Sequence, residues 1–353
     1  MKVYGVIMAG GGGTRFWPLS RKKTPKQLLN LSGKEIMVNE AADRLLHVCE
    51  SGNLFVVTNG VQAERTREVT EGRINPEKIL AEPCARNTAA CIGYAAVEIL
   101  KKYGDGIMVI TPSDAYIRDN KKFAEVLQTA IAAAESGEYL VTVGITPTFP
   151  ATGYGYIKCG EGGDVKKVLR FVEKPPIEKA VEYLKSGEYV WNSGMFVWRA
   201  SLILEKFRQL LPEVYACLMK IYAGLGTPDE KKITESTYPR IPSVSIDYGI
   251  MEKSENILVV PGEFGWSDVG SWDMLGAIHS ADNNGNIALG DVVAVDCKNV
   301  TAYSGGRTVA AVGVENLVIV ETADAVLVCP RDRAQDVKLI VEKLASDKRD
   351  GLL

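Results

Sequence analysis

The residues best suited to chemistry lie near the start of the 353-residue chain. Four glycines, Gly10–Gly13, follow the apolar segment 3–9. Glycines after a buried strand let the backbone approach a polyphosphate and turn its N–H groups toward it. Arg15 could then bind phosphate oxygens as a bidentate fork, and Lys26 could do so as a point charge. We therefore expect a phosphate-binding loop here.

Two other phosphate-binding glycine motifs do not fit this loop. The Walker pattern closes with Gly-Lys-Ser/Thr, whereas Thr14 and Arg15 follow the glycines here. The dinucleotide fingerprint needs a third glycine five residues after the first, and Arg15 and Phe16 occupy the two candidate positions. A dehydrogenase is therefore disfavoured. The alternative without a function is a flexible turn, but a flexible turn rarely consists of four glycines followed by spaced cations.

Polar residues follow two further apolar runs. Glu82, Arg86 and Asn87 lie where the strand-like segment 78–82 leads into an alanine-rich helix, and they offer hydrogen bonds to a base at an anion-attracting helix start. Capping of that helix would by itself explain Asn87 and the next residue. Asp114 ends an apolar run and could hold Mg²⁺, although a turn aspartate is the alternative.

Composition excludes several functional classes. The 41 basic and 44 acidic residues give a formal charge of −3, which does not favour a nucleic-acid partner or an anionic membrane surface. No apolar run approaches the roughly 20 residues of a membrane span, and the N-terminus has no signal-peptide pattern, so we expect a cytoplasmic enzyme. With only His47 and His279, a histidine triad or proton relay is hard to build.

The periodicity predicts the elements that must position these residues. Short apolar runs at 3–9, 54–58, 107–111 and 139–145 alternate with helical patterns around 36–50, 60–72, 87–103 and 120–136. This alternation predicts an α/β fold with a Rossmann-like, mainly parallel mixed sheet and helices on both faces. A second half with helices near 177–186 and 200–222 would complete the sheet.

The chain changes character after the turn-forming segment 281–286. Short valine-rich runs over 286–329 predict a small C-terminal β-domain, and the tail 331–346 is helix-like. We place the domain boundary between residues 283 and 284, with a catalytic domain over 1–283 and a β-solenoid-like segment over 284–353. So short a solenoid needs capping or packing, and a homodimer surface is one way to provide it.

Several motifs together resemble one family. The string from Gly10 to Ser20, with Pro25 and Lys26, looks like the N-terminal signature of sugar-nucleotide pyrophosphorylases, and its Phe-Trp-Pro-Leu-Ser version resembles the mannose-1-phosphate guanylyltransferase branch. The string Glu-Pro-Cys-Ala-Arg-Asn-Thr at 82–88 is similar to a motif of that branch. Motifs of the wider family resemble the segments 152–157, 171–175, 191–196 and 264–272. The resemblance extends over essentially the whole chain.

The resemblance implies roles for individual residues. Catalysis and phosphate binding would fall to Arg15, Lys26, Asp114 and Asp268, with the two aspartates holding Mg²⁺. Nucleotide binding would involve Ala9, Gly10, Gly11, Gly12, Gly13, Thr14, Glu82, Arg86, Asn87, Thr88 and Ser113. The sugar phosphate would be bound by Gly153, Tyr154, Glu173, Lys174 and Asn192. A left-handed β-helix is the form implied for the C-terminal domain.

The reaction implied is GTP plus mannose 1-phosphate giving GDP-mannose and pyrophosphate. Its nucleophile is a phosphate oxygen that is already ionised, so a histidine-poor chain can catalyse it by positioning and charge neutralisation. Two alternatives stay open. One is another sugar-1-phosphate nucleotidyltransferase, using glucose with UTP or dTTP. The other is a non-catalytic regulatory subunit that binds the sugar nucleotide, which the intact Arg15, Lys26, Asp114 and Asp268 disfavour.

Overall fold

The computed structural model describes residues 1–353 and divides them into two compact units. Unit 1 comprises residues 1–10, 41–113 and 119–266, and unit 2 comprises residues 11–40, 114–118 and 267–353. The glycine run is therefore shared, with Gly10 in unit 1 and Gly11–Gly13 in unit 2. These units differ from the predicted division at 283/284, because unit 2 includes residues from both sides of that boundary. The domain boundary stays a prediction.

Seventeen strands are formed. They are β1 Val3–Ala9, β2 Leu54–Asn59, β3 Ile79–Glu82, β4 Ile107–Pro112, β5 Tyr116–Ile117, β6 Leu140–Ile145, β7 Tyr156–Gly162, β8 Lys166–Val172, β9 Tyr189–Arg199, β10 Ile257–Gly262, β11 Trp266–Ser267, β12 Ile287–Leu289, β13 Val292–Val295, β14 Thr301–Ser304, β15 Val309–Val312, β16 Leu317–Glu321 and β17 Val326–Pro330.

Ten α-helices accompany them. They are α1 Met37–Leu45, α2 Gly60–Val69, α3 Asn87–Lys102, α4 Asn120–Glu135, α5 Ile177–Ser186, α6 Ala200–Leu210, α7 Pro212–Gly224, α8 Glu230–Thr237, α9 Ile246–Gly249 and α10 Val337–Ser346. No helix combines the length and the apolar character that crossing a membrane requires.

Unit 1 is built on a nine-stranded sheet in the order β3-β2-β1-β4-β9-β6-β10-β8-β7. Strands β1 to β4 pair in parallel, as do β6 and β10, whereas β9 pairs antiparallel with both β4 and β6. The central strands are buried on both faces, which their continuous runs of Val, Ile and Met favour. The predicted mixed α/β sheet is confirmed.

Helices cover this sheet. The helix α3 packs against β1 and β2 and also against α6 and α7, whereas α4 packs against β4, β6, β9 and β10. The alanine-rich sequence of α3 suits this position because small side chains let several neighbours approach it. The buried core includes Phe55, Phe196, Trp198 and Phe207.

Unit 2 carries the C-terminal β-strands. The parallel strands β12, β14 and β16 stack in one sheet that β17 closes antiparallel, while β13 and β15 form a second parallel pair. Sequence-distant parallel strands in consecutive layers are the arrangement of a β-helix. The predicted β-helix-like C-terminal domain is confirmed. Its core also contains Phe16 and Trp17 from the N-terminal segment, packed with Trp272, Val318 and Val320.

Two local predictions were wrong in detail. The helix expected over 200–222 is two helices, because Pro212 lacks the N–H that would continue α6 and instead occupies the first turn of α7. Asn87 does not cap α3. Its backbone is left-handed with φ 66°, and its side-chain oxygen accepts only the N–H of the neighbouring Thr88.

Candidate active site

Residues 10–15, the glycine loop, turn sharply after β1. Gly13 has a left-handed φ of 57°, and a Cβ on it would lie 2.3 Å from the Cβ of Lys26. Glycine is therefore needed where the loop passes Lys26. A Cβ on Gly11 would meet no atom within 4 Å, and one on Gly12 would meet only the Thr14 methyl at 3.8 Å. Positions 11 and 12 have open space beside them.

The glycine loop is held through its carbonyl oxygens. The Gly11 carbonyl accepts a hydrogen bond from Nε2 of Gln27 at 2.9 Å, and the Gly13 carbonyl accepts one from Oγ of Ser20 at 2.8 Å. The backbone N–H groups of residues 11–14 donate to no protein group. Successive N–H groups in such a loop form a concave site that attracts anions. The loop is thus fixed in place while its donors stay available.

The two cations of the sequence motif occupy different environments. Arg15 is exposed and forms no hydrogen bond or ion pair with the protein. Lys26 is only 3% exposed. Its Nζ donates to the backbone oxygen of Asp114 at 2.8 Å, to Oδ2 of Asp114 at 3.0 Å and to the backbone oxygen of Asp268 at 2.5 Å. Arg15 is thus open to solvent, whereas Lys26 links Asp114 and Asp268.

Asp114 and Asp268, the aspartate pair, are held at one ammonium group within unit 2. Both residues are half-buried, and the side chain of Asp114 is 42% exposed despite its ion pair with Lys26. No group of three or more His, Cys, Asp or Glu side chains could hold a metal ion. Mg²⁺ is commonly bound by one or two carboxylates and by substrate phosphates. The donor set of the aspartate pair fits such a cation.

In unit 1, Glu82 ends the edge strand β3 with only 4% of its surface exposed. Its Oε1 accepts a hydrogen bond from the hydroxyl of Tyr238. Burial raises the pKa of Glu82, and the bond from Tyr238 offsets part of this rise. A Cβ on Gly10 would lie 2.8 Å from Oε2 of Glu82, so glycine leaves room for that oxygen. Glu82 is a desolvated acceptor, which suits recognition of N–H donors.

The other predicted nucleotide residues of unit 1 are tied to its scaffold. The guanidinium of Arg86 donates to the backbone oxygen of Pro239. The hydroxyl of Thr88 accepts the N–H of Ile246 at 2.8 Å, which joins the start of α3 to α9. Asn87 is exposed.

Ala9 and Ser113 lie at the ends of two neighbouring parallel strands. The carbonyl of Ala9 accepts a hydrogen bond from Oγ1 of Thr58 at 3.0 Å. Ser113 is buried and donates its N–H to the carbonyl of Met8 at 3.0 Å, extending the pairing of β1 with β4. Both residues therefore stand at the carboxyl edge of the sheet, where ligands of such folds bind.

A third group of polar residues, the sugar cluster, consists of Gly155, Glu173, Lys174, Asn192 and Asp247 of unit 1. Nζ of Lys174 lies 2.6 Å from Oε1 of Glu173, and Nδ2 of Asn192 donates to Oδ1 of Asp247 at 2.8 Å. A Cβ on Gly155 would lie 2.5 Å from Oε2 of Glu173 and 3.6 Å from Nδ2 of Asn192. Gly155 therefore stands against both side chains.

The electrostatics of the sugar cluster are dominated by two carboxylates. Only 8% of the Glu173 side chain is exposed, whereas the Lys174 side chain is 57% exposed. Burial, and then the negative charge of Glu173, raise the pKa of Asp247 to about 6, while its own backbone N–H, and then Asn192 and Lys174, oppose this rise. Burial lowers the pKa of Lys174, but its bond and attraction to Glu173 outweigh this and raise it.

Gly153 and Tyr154 lie outside these contacts. Gly153 is exposed, and a Cβ on it would meet no atom within 4 Å. The Tyr154 ring packs edge-on against Trp191 at 5.1 Å and against Trp266 at 5.3 Å between centroids. Tyr154 thus joins an aromatic group next to Asn192.

Sequence reasoning missed Asp247, Tyr238 and Gln27. Tyr238 directly follows α8 and Asp247 lies in the short helix α9, where a lone phenol or carboxylate carries no motif. Gln27 directly follows Lys26, and its bond to the Gly11 carbonyl depends on a turn that the sequence does not announce. Gly155 was within a quoted segment, and only the close approach of Glu173 identifies it.

Comparison with known proteins gives consistent matches. A family model described as nucleotidyl transferase matches residues 4–285. A model described as MannoseP isomerase/GMP-like beta-helix domain matches residues 290–344. These two ranges together span most of both structural units.

Similar proteins cover nearly the whole chain. Xanthan biosynthesis protein XanB from Xanthomonas campestris pv. campestris is 44% identical over 98% of this chain and 73% of its own length. Mannose-1-phosphate guanylyltransferase RfbM from Salmonella typhimurium is 40% identical over the same shares. A crystal structure named mannose-1-phosphate geranyltransferase, from Thermus thermophilus, matches with a TM-score of 0.89 and 36% identity, covering 98% of this chain and 100% of that one.

Proposed function

Because the chain belongs to the nucleotidyl transferase family, we propose that it transfers GMP from GTP to mannose 1-phosphate, giving GDP-mannose and pyrophosphate. Relatives named mannose-1-phosphate guanylyltransferase, 40% identical over 98% of the chain, support this substrate pair. The observation that carries the proposal is local to unit 2. There, a loop with unused N–H donors is followed by a lysine that holds two aspartates.

The glycine loop and Arg15 bind the triphosphate in this proposal. The N–H groups of residues 11–14 and the exposed Arg15 guanidinium stabilise the negative charge that develops on the departing pyrophosphate. Preorganised donors of this kind stabilise the transition state more than the ground state, because charge develops at the oxygens they face. They also need no reorganisation during the reaction. The sugar phosphate attacks the α-phosphorus with an oxygen that is already ionised, so no side chain has to remove a proton.

The aspartate pair would hold Mg²⁺, and Lys26 would position the two aspartates. Nucleotidyltransferases of this family generally use a divalent metal ion. The bound ion would supply positive charge to the phosphate oxygens around the reacting phosphorus. Since every Nζ proton of Lys26 faces a protein oxygen, we assign Lys26 first to orienting Asp114 and Asp268. Contact with the triphosphate would require one of these bonds to be exchanged.

The residues of unit 1 bind the base and the sugar in this proposal. Glu82 would accept N–H donors of guanine, with Ala9, Arg86, Asn87, Thr88 and Ser113 around the nucleotide. Glu173 and Asn192 would bind sugar hydroxyls, and the exposed Lys174 would bind the sugar phosphate. Gly153 and Tyr154 would border the sugar. The homodimer and the cytoplasmic location stay predictions.

The proposal is tested by pyrophosphate release from each NTP paired with each of several sugar 1-phosphates. GTP with mannose 1-phosphate is expected to give the highest kcat/KM. A preference for UTP or dTTP with glucose 1-phosphate would replace the proposal by its first alternative. Tight binding of GDP-mannose with no turnover of any pair would support a regulatory subunit.

A further inference from the structure

Asp247 belongs to none of the motifs that point to the active site, and its position is nevertheless fixed from two sides. It lies in the short helix α9, whose first N–H, from Ile246, donates to the hydroxyl of Thr88 at 2.8 Å. Oγ of Ser245 accepts the N–H of Tyr248 at the same turn. The backbone that carries Asp247 is therefore fixed by bonds that do not involve the side chain of Asp247.

Asn192 presents its amide nitrogen to Asp247 in a defined orientation. Its Oδ1 accepts the N–H of Gly194 at 3.2 Å and lies 3.4 Å from the hydroxyl of Thr142. The Nδ2 atom must then face Oδ1 of Asp247, at 2.8 Å. An amide nitrogen has two hydrogens, so one N–H of Asn192 stays available for a ligand. Asn192 is the one other residue that donates to the carboxylate of Asp247, which also lies near its own backbone N–H.

The surroundings of Asp247 do not favour a charged carboxylate. No Lys or Arg forms an ion pair with Asp247, and the carboxylate of Glu173 faces it with the same charge. Lys174 is the nearest compensating charge, but its Nζ is bonded to Glu173, and Glu252 accepts the N–H of Glu173. An asparagine could accept the bond from Asn192 equally well. The stability of the fold therefore does not explain why position 247 has a carboxylate and not an amide.

We propose that Asp247 is a sugar-recognition residue, which together with Asn192 binds two adjacent hydroxyls of the sugar 1-phosphate. One hydroxyl donates to the second oxygen of Asp247, and its neighbour accepts from the remaining N–H of Asn192. Glycine at position 155 lets the side chains of Glu173 and Asn192 lie close to the backbone there, because a Cβ would stand 2.5 Å from Oε2 of Glu173. This inference rests on the proposed function, since it requires a sugar 1-phosphate as substrate.

The test compares Asp247→Asn and Asp247→Ala with the control Asp164→Asn, which changes an exposed carboxylate in the turn between β7 and β8. Loss of one charge-assisted hydrogen bond should lower kcat/KM for mannose 1-phosphate by about 10- to 100-fold. The KM for GTP should stay unchanged. The melting temperature of Asp247→Asn at pH 8 should not fall. If Asp247 were only structural, its replacement would lower the melting temperature.

Monodeoxy mannose 1-phosphates identify the hydroxyl that donates to Asp247. The wild-type protein should use one of these analogues far less well than mannose 1-phosphate, whereas Asp247→Ala should treat the two alike. This loss of discrimination is the coupling between residue and hydroxyl that a double-mutant cycle measures. If Asp247→Ala keeps the full wild-type discrimination against every analogue, the inference is overturned.

The wild-type assay separates this inference from the proposed function. A wild-type preference for another sugar 1-phosphate overturns the mannose assignment, and the Asp247 variants and the deoxy analogues are then measured with that sugar. An active wild-type protein whose Asp247 variants retain KM for the sugar 1-phosphate overturns the inference alone. A protein that uses no sugar 1-phosphate overturns both.

Discussion

The glycine loop in unit 2 offers N–H groups of residues 11–14 and the Arg15 guanidinium with no protein partner. In the sugar cluster of unit 1, Glu173 already bonds Lys174, and Asn192 already bonds Asp247. The first region is prepared for an anion before any ligand arrives. The second has side chains that already bond one another, and a sugar can use only the donors and acceptors that these bonds leave over. We therefore expect changes in the loop and at the aspartate pair to act on kcat or on the KM for GTP, and changes in the sugar cluster to act on the KM for sugar 1-phosphate.

Asp268→Asn should have the largest effect. In the proposed metal site, removal of one carboxylate charge weakens binding of the divalent ion, and metal ions supply several kcal/mol of transition-state stabilisation, so kcat should fall by roughly 10³-fold. The Mg²⁺ concentration for half-maximal activity should rise as well. Asp332→Asn, an exposed carboxylate of the same unit, is the control. Unchanged metal dependence in Asp268→Asn would remove Asp268 from the metal site.

Arg15→Ala should lower kcat by about 10²-fold, because one preformed donor to the leaving pyrophosphate is lost. Its melting temperature should match that of the wild-type protein, since Arg15 has no hydrogen bond or ion pair to lose. Arg67→Ala, which changes an exposed arginine on α2, should alter neither kcat nor the melting temperature.

Lys26→Ala should lose activity and also melt several degrees lower, because Lys26 is buried among three oxygen acceptors. Equal melting temperatures for Arg15→Ala and Lys26→Ala would contradict the claim that Lys26, unlike Arg15, stabilises the fold.

Gly12→Ala and Gly13→Ala separate loop folding from loop function. A Cβ at position 13 requires a left-handed backbone and collides with Lys26, so Gly13→Ala should destabilise the protein by about 1–3 kcal/mol. Position 12 has open space, so Gly12→Ala should keep wild-type stability but raise the KM for GTP by roughly tenfold, because the methyl group occupies the volume that phosphate needs. Chemical denaturation and initial rates measure the two effects. A normal KM for GTP in Gly12→Ala would place the triphosphate elsewhere.

The smallest expected effect is on the pH dependence of stability. The pKa of Asp247 is raised to about 6 in the folded protein, above its value of about 3.9 in an unfolded chain. Its contribution to stability is then complete below about pH 3.9 and is lost as pH rises through 6. Asp247→Asn should therefore melt a few degrees above the wild-type protein at pH 8, and the difference should shrink at pH 5. A variant that is less stable than wild type at pH 8 would contradict this.

The residues proposed to bind phosphate were largely identified from the sequence. A glycine run after a buried strand, spaced cations and Asp114 after another strand each follow from local chemistry, and the resemblance added Asp268. The confirmed family membership supports that assignment. The role of Lys26 could not be read this way, because its burial and its bond to the backbone of Asp268 join residues 242 positions apart.

The sugar cluster was predictable only in part. Glu173, Lys174 and Asn192 came from motifs, whereas Asp247 comes from a short helix whose place is set by a contact with Thr88, 158 residues away in sequence. The two-unit division was equally hidden, since residues 11–40 belong with the C-terminal strands. Local patterns specify elements, but these groupings depend on tertiary packing that one sequence does not display.

The most direct test of the central claim is a competition experiment with product analysis. The wild-type protein is given equimolar GTP, UTP and dTTP with mannose 1-phosphate, glucose 1-phosphate and Mg²⁺, and the sugar nucleotides formed are identified by mass spectrometry. We expect GDP-mannose as the main early product, with one pyrophosphate released for each molecule formed. Predominant formation of UDP-glucose or dTDP-glucose, or no sugar nucleotide at all, would contradict the account.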